Sequence, residues 1–221
     1  MKILGIGGGS MGRRRLRDLT YLNQGNMILF EPQPQRCQEV AAAFNVRGYT
    51  RFEDALAEAP DIITISTPPT LHEPYVLKAM ELGLHVFAEV PFLTQAETLA
   101  KIAAQVPNYP AVIGISHAPR YYPPFRLIHD LIHEGHIGQP LYVEFSLGQY
   151  LPSWHPYEDY RTFYGSDFSL GGAGMDMLYH DFNPLQWWLG PIASVYARFS
   201  KVSNLEIRGP DMQDILLTFA S

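Results

Sequence analysis

Short apolar runs recur through the first half of the chain, each set off from the next by an amphipathic stretch. Ile3-Leu4-Gly5-Ile6, Met27-Ile28-Leu29-Phe30, Ile62-Ile63-Thr64-Ile65-Ser66, His85-Val86-Phe87-Ala88 and Ala111 to Ser116 are short and nearly continuous in apolar character. That pattern predicts strands covered on both faces. Val46 to Thr50 follows the second of the intervening stretches. Those stretches, Arg13 to Leu22, Gln35 to Phe44, Phe52 to Glu58, Leu71 to Leu82 and Ala96 to Gln105, carry the periodicity of helices. Strict alternation of this kind predicts an α/β fold, a doubly wound parallel sheet of Rossmann type. Ligands on such sheets bind beyond the carboxyl ends of the strands. Here those ends carry Gly7, Glu31, Thr67, Glu89 and His117.

Past His117 the pattern changes. A proline-bearing link (Pro119, Pro123, Pro124) opens a helix from Phe125 to His133, which Gly135 and Gly138 end. Leu141 to Leu147 alternates as a half-buried strand does. An aromatic loop, Gly148 to Leu170, leads to a helix that starts around Gly172 to Gly174 and ends at Leu189. Ser194 to Ser200 and Ile215 to Phe219 read as two further strands. Residues 119–221 are therefore expected to form an α+β domain, shortened at its end, beside a nucleotide-binding domain of residues 1–118.

The first strand runs straight into Gly7-Gly8-Gly9-Ser10-Met11-Gly12, a G-x-G-x-x-G turn. Gly7 allows the sharp exit from the strand, Gly9 lets backbone N–H groups approach a pyrophosphate, and Gly12 lets the next helix pack closely. The N-terminus of that helix would face the phosphates. The second strand ends in Glu31, where an acidic side chain holds a ribose 2′-hydroxyl and repels a 2′-phosphate. NAD is thus favoured over NADP, the alternative being a solvated strand-end glutamate. Arg13-Arg14-Arg15 reads as a solvated helix face with Arg13 near the pyrophosphate.

Composition narrows the partners. The 221 residues carry a net charge of -6, and no basic block or long apolar run suggests nucleic acid or membrane as a partner. The only cysteine, Cys37, excludes an intramolecular disulfide and fits a reducing cytoplasm. His129, His133 and His136 cluster without carboxylate support and read as solvated; no metal site is expected.

In the second half, Asp176 and His180 stand at i and i+4, on one face of the expected helix. A histidine suits removal of a hydroxyl proton near neutral pH, and a carboxylate beside it orients the ring or binds a hydroxyl. The alternative is an aspartate favoured by the helix dipole and an incidental histidine. In the loop before them, Tyr150-Leu151-Pro152-Ser153-Trp154-His155-Pro156-Tyr157-Glu158-Asp159-Tyr160-Arg161 combines aromatic rings with hydrogen-bonding groups. Trp154 could stack on a sugar ring, and Asp159 and Arg161 could grip hydroxyls or a carboxylate. A loop packed over a sheet accounts for it equally well.

The glycine turn with Met11, Thr67-Pro68-Pro69-Thr70-Leu71-His72, Glu89-Val90-Pro91, Arg120-Tyr121-Tyr122-Pro123 and Gly171 to His180 occur in that order. Together they resemble the glucose–fructose oxidoreductase / inositol dehydrogenase / rhizopine-catabolism (Gfo/Idh/MocA) family over nearly the whole chain. The resemblance implies an NAD(P)-dependent oxidoreductase acting on a sugar, polyol or nucleotide sugar in a cleft between the two domains. It implies cofactor contacts at Gly7, Gly9, Ser10, Met11, Gly12, Glu31, Thr67, Pro68, His72 and Glu89, and a catalytic pair of Asp176 and His180. His117 and Arg120, with Trp154, Asp159 and Arg161, are the expected substrate contacts.

Two features depart from the family. Val90 stands where the family carries a lysine that contacts the reacting hydroxyl, and valine can neither donate a hydrogen bond nor carry charge. His117, Arg120 and Arg161 are the candidates to take over. The chain also stops just after Ile215-Leu216-Leu217-Thr218-Phe219, an apolar strand that would be a liability at an open edge. The expectation is either a shortened form of a longer protein or a homo-oligomer joined through the C-terminal sheet. The competing functions are a non-catalytic NAD-binding relative and NAD-assisted lyase or glycosidase chemistry.

Overall fold

The computed structural model describes residues 1–156 and 158–220; Tyr157, part of the aromatic loop, lies outside them. The chain divides into two compact units, Met1–Ser116 and His117–Ser221, a boundary slightly ahead of the expected one.

The first unit runs β1 (Lys2–Ile6), α1 (Ser10–Tyr21), β2 (Asn26–Phe30), α2 (Pro34–Phe44), β3 (Arg47–Tyr49), α3 (Phe52–Leu56), β4 (Ile62–Ile65), α4 (His72–Glu81), β5 (His85–Ala88), α5 (Ala96–Gln105) and β6 (Ile113–Ile115). Its six strands lie in the order β3-β2-β1-β4-β5-β6, all parallel. The strand order reverses between β1 and β4, which puts the glycine turn at the topological switch point. Leu4, Ile6, Ile63, Ile65, Val76 and Val86 form the main core, and Leu16, Leu29 and Val40 a second cluster. Each such side chain contributes about 1.5–3 kcal/mol by leaving water.

Helix α1 begins at Ser10, earlier than the expected Arg13, because Met11 and Gly12 are themselves helical. A Cβ on Gly12 would lie 1.8 Å from the Gly7 carbonyl oxygen, so only glycine lets α1 seat against the turn. Helix α2 opens with proline in its first turn and closes on Asn45 in the left-handed conformation, familiar start and stop signals. On the surface, Glu58 accepts hydrogen bonds from Tyr49 at 2.5 Å, Arg47 at 2.6 and 2.8 Å and Lys2 at 3.0 Å. The Tyr49 hydroxyl, then Lys2 and Arg47, hold its carboxyl down to about 2.

The second unit contains α6 (Pro123–His133), α7 (Leu151–Trp154), α8 (Met175–Leu189), β7 (Ile192–Ser200) and β8 (Met212–Phe219). Strands β7 and β8 form a two-stranded antiparallel sheet. Helix α6 meets α8 through Phe125 and Trp188, whose rings are 5.2 Å apart, and the Trp188 indole donates to the Phe125 carbonyl at 3.1 Å. Pro184 lies inside α8 and has no N–H for the His180 carbonyl four residues earlier.

Two expectations need correction here. Leu141 to Leu147 is not a strand: residues 141–150 join no ladder, and Leu141 and Tyr142 are exposed. Alternation prescribes which side chains face which way, but a strand also needs a neighbour to take its N–H and C=O groups. The aromatic stretch is likewise not one loop. It holds α7 and two 3-10 turns, Tyr164–Ser166 and Phe168–Leu170.

Candidate active site

The glycine turn supplies a cradle in the first unit. Gly7 has φ of 93° and donates its N–H to the Phe30 carbonyl at 2.9 Å, so the turn is tied to β2. Gly9 precedes α1, whose N-terminus no side chain caps, and a Cβ on Gly9 would meet nothing within 4 Å. The open side of the turn therefore faces free N–H groups of the first helical turn. Ser10 and Met11 begin that turn.

Glu31 is buried, and its two carboxylate oxygens accept N–H groups from Gly8 at 2.8 Å and Gln33 at 3.0 Å. Arg36 stands 3.9 Å away. The strand-end glutamate is thus part of the turn and not a solvated side chain. Thr67 follows β4; its hydroxyl oxygen is buried with no hydrogen-bond partner among the described residues, and its methyl group lies close to Gly7. Pro68 leads into the 3-10 turn Pro69–Leu71.

His72 has no exposed surface, and its ring nitrogens lie 3.0 Å from the Phe92 carbonyl and 2.9 Å from the Thr67 carbonyl. Burial lowers its pKa against the pull of those carbonyls, so the neutral ring donates to one of them. Both ring nitrogens of His72 are thus turned to backbone carbonyls, and the ring holds the Thr67 segment in place.

Arg15 is not part of a solvated face. Its Nε donates to Glu89 at 2.5 Å, its Nη2 to the Ser116 hydroxyl at 2.8 Å, and its guanidinium lies 5.2 Å from the Phe87 ring centroid. Arg13 reaches the Gly8 carbonyl at 3.3 Å, close to the turn as expected. An uncapped helix start, an open glycine, a buried carboxylate and an orphaned hydroxyl together suit a dinucleotide with phosphates and a ribose diol.

In the second unit, Asp176, Tyr179, His180 and Asn183 share one face of α8. Asp176 is buried; its Oδ2 accepts from the Tyr164 hydroxyl at 3.0 Å, and its Oδ1 has no partner among the described residues. Burial raises its pKa, opposed by the Tyr164 hydrogen bond. No hydrogen bond joins Asp176 to His180. His180 and Asp181 instead line an open groove of about 610 Å³ with Tyr121, Tyr122, Phe125 and Phe145, and burial raises the pKa of Asp181 as well.

His117 lies with its Nδ1 2.6 Å from the Tyr179 hydroxyl and 3.1 Å from the Asn183 amide nitrogen. Arg120 donates to the Asn183 amide oxygen at 3.2 Å and covers Trp187. The other three expected substrate contacts are not gathered there. Arg161 is engaged by Asp159 at 3.1 Å and Glu206 at 2.8 Å, and Trp154 packs edge-on against Phe163. Of the histidine cluster, His129 stacks on Trp187 with centroids 4.2 Å apart. Tyr179 and Asn183 could have been found from their helical spacing to Asp176; nothing in the sequence marks Arg15 or Tyr164.

A model for an oxidoreductase family with an NAD-binding Rossmann fold matches residues 1–116, and one for a Gfo/Idh/MocA C-terminal domain matches residues 125–221. The chain belongs to the Gfo/Idh/MocA family. Its first unit is the family's NAD-binding Rossmann domain. Inositol 2-dehydrogenase of Corynebacterium glutamicum (strain R) is 26% identical over 211 residues, covering 92% of this chain and 59% of that protein. D-xylose 1-dehydrogenase [NADP(+)] of Haloarcula marismortui is 31% identical over 165 residues, or 71% of this chain and 46% of that protein. Among solved structures, the WlbA dehydrogenase of Bordetella pertussis in complex with NADH and UDP-GlcNAcA superposes with a TM-score of 0.80 at 19% identity. That match covers 99% of this chain and 67% of the other. The chain thus spans roughly three-fifths of the inositol dehydrogenase it matches (59%).

Proposed function

We propose that this chain binds NAD and transfers hydride between it and a hydroxyl-bearing carbon of a sugar, polyol or nucleotide sugar. The observation that carries the reading is Glu31, buried at the end of β2 and hydrogen-bonded back to Gly8 of the turn. A carboxylate so fixed accepts the ribose hydroxyls and opposes a 2′-phosphate. The relatives named for inositol and xylose, and the neighbour crystallised with a nucleotide sugar, set the breadth of the substrate class.

When bound, the nicotinamide supplies the hydride acceptor. His180 takes the proton of the reacting hydroxyl on a ring nitrogen, the general-base role that imidazole serves in many enzymes. Asp176 offers to a substrate hydroxyl its Oδ1, which has no hydrogen-bond partner among the described residues. The Asp176 Oδ2 bond to Tyr164 keeps the carboxyl turned in place. Thr67 Oγ1, Glu31 and the first turn of α1 hold the dinucleotide. Valine at position 90 has no hydrogen-bond donor to offer, so in this reading a donor to the reacting oxygen comes from another side chain.

Calorimetric titration with NAD and NADP tests the reading. The expected result is micromolar NAD binding with NADP at least about tenfold weaker, a difference of about 1.4 kcal/mol, and loss of that preference in Glu31→Ser. NADH accumulation is then followed across inositols, aldoses and UDP-sugars. NAD binding without turnover on that panel would favour a nucleotide-binding protein without dehydrogenase activity. Binding of neither cofactor would reject the proposal for this chain.

A further inference from the structure

The second unit holds two histidines beside α8, and their surroundings differ in kind. Arg120 has only donors, so the Asn183 amide must turn its oxygen to Arg120 Nε and its NH2 to His117 Nδ1. The Tyr179 hydroxyl lies against the same nitrogen at 2.6 Å. An Nδ1 that receives the amide N–H cannot carry a proton of its own, so the hydroxyl also donates to it. The one remaining place for the imidazole proton is Nε2. Apart from the same Tyr179 oxygen at 3.4 Å, Nε2 has no partner among the described residues.

We propose that Arg120, Asn183 and Tyr179 lock His117 as a neutral imidazole protonated on Nε2. It then offers a ligand a hydrogen-bond donor, while His180 remains the histidine that accepts a proton. Arg120 and Asn183 are positioning residues in this scheme: Arg120 orients the amide, and the amide selects the tautomer. Among the described residues, the charged and titratable groups facing His117 are Arg120 and Tyr179. A guanidinium on one side and a hydroxyl already spent as donor on the other both disfavour an imidazolium. Burial, and after it Arg120, lowers the His117 pKa in the same sense. His180, by contrast, acts electrostatically on two carboxyls, Asp176 and Asp181.

This deepens the dehydrogenase reading and rests on it only for the identity of the oxygen that receives the hydrogen bond. In alcohol oxidation the hydroxyl proton would go to His180, with a bound nicotinamide as the hydride acceptor. His117 gives up no proton in this scheme; its Nε2–H would be a fixed donor to a ligand oxygen, and to the reacting oxygen where the dehydrogenase reading holds.

The test is the state of the His117 ring in the full chain, read by long-range 1H–15N correlation spectra between about pH 5.5 and 8.5, a window that brackets the ordinary histidine midpoint. The expected wild-type result is a neutral form with Nδ1 bare and Nε2 protonated, and a midpoint below the ordinary histidine value. Asn183→Asp puts a carboxylate against Nδ1 and should raise the midpoint by about 1–3 pH units. Tyr179→Phe should leave the tautomer in place, because the amide still selects it.

A wild-type His117 that titrates above about pH 6.5, or that carries its proton on Nδ1, overturns the proposal without any variant having to fold. The cofactor reading fails separately. If NAD does not bind but His117 is locked, the dehydrogenase assignment goes and the donor stays. If NAD binds and His117 titrates freely, the lock goes and the assignment stays.

Discussion

The two units solve the same problem with unequal resources. In the first, every strand but the two edges has neighbours on both sides, and Leu4, Ile6, Leu29, Ile63 and Ile65 are almost wholly withdrawn from water. In the second, two strands pair only with each other, and Val195, Tyr196 and Leu216 stay exposed on them. Similar apolar patterns therefore have different energetic meaning. An apolar run stabilises a fold to the extent that something in the chain covers it, and the first unit carries its own cover.

Substitutions can break or sharpen that contrast. The largest effect is expected at the glycine turn: Gly12→Ala sets a methyl group against the Gly7 carbonyl. It should cost about 3 kcal/mol and abolish NAD binding, as read by calorimetry and thermal unfolding. A Gly12→Ala protein that melts normally would mean that α1 is free to move away from β1. Next comes a matched pair of truncations. Ile63→Ala should cost about 2–5 kcal/mol, and Leu216→Ala no more than about 0.5 kcal/mol, measured by urea unfolding. A large loss at Leu216 would show that a partner covers β8 in solution.

The smallest effect concerns acid. The Glu58 carboxyl titrates at about 2 when folded, against an ordinary value of 4.5. Its contribution is therefore complete above about pH 4.5 and disappears as pH falls towards 2. Glu58→Gln should lower the melting temperature slightly at pH 7 and flatten its decline between pH 4.5 and 2. An unchanged slope would mean that the clamp with Lys2, Arg47 and Tyr49 does not persist in solution.

Where local pattern and tertiary cover agree, the chain could be read directly. The bounds of β5 and α5 are the expected ones, and Gly8 and Glu31 meet at the switch point because a strand, a glycine turn and a second strand dictate that arrangement. Leu141 to Leu147 misled because alternation records the two faces of a strand but says nothing about its neighbours. Arg15 misled because three consecutive arginines look alike in sequence, whereas on a helix they point in different directions and only Arg15 reaches Glu89. The Asp176–His180 spacing was legible from helical geometry alone. The hydroxyl that orients Asp176 was not, since Tyr164 comes from an irregular segment whose path no periodicity predicts. Arg161 and Asp159 had suitable chemistry, but the nearest opposite charges took it up.

Arg15 also ties an early part of the unit to a late one. It precedes Glu89 by 74 residues and Ser116 by 101. Chains grow from the N-terminus, so Leu16 can pack with Leu29 and Val40 well before both partners of Arg15 have been made. A nascent chain halted between Glu89 and Ser116 can form the first of these bonds and not the second. The helix beside the glycine turn thus gains its last guanidinium tie only once β6 has been made.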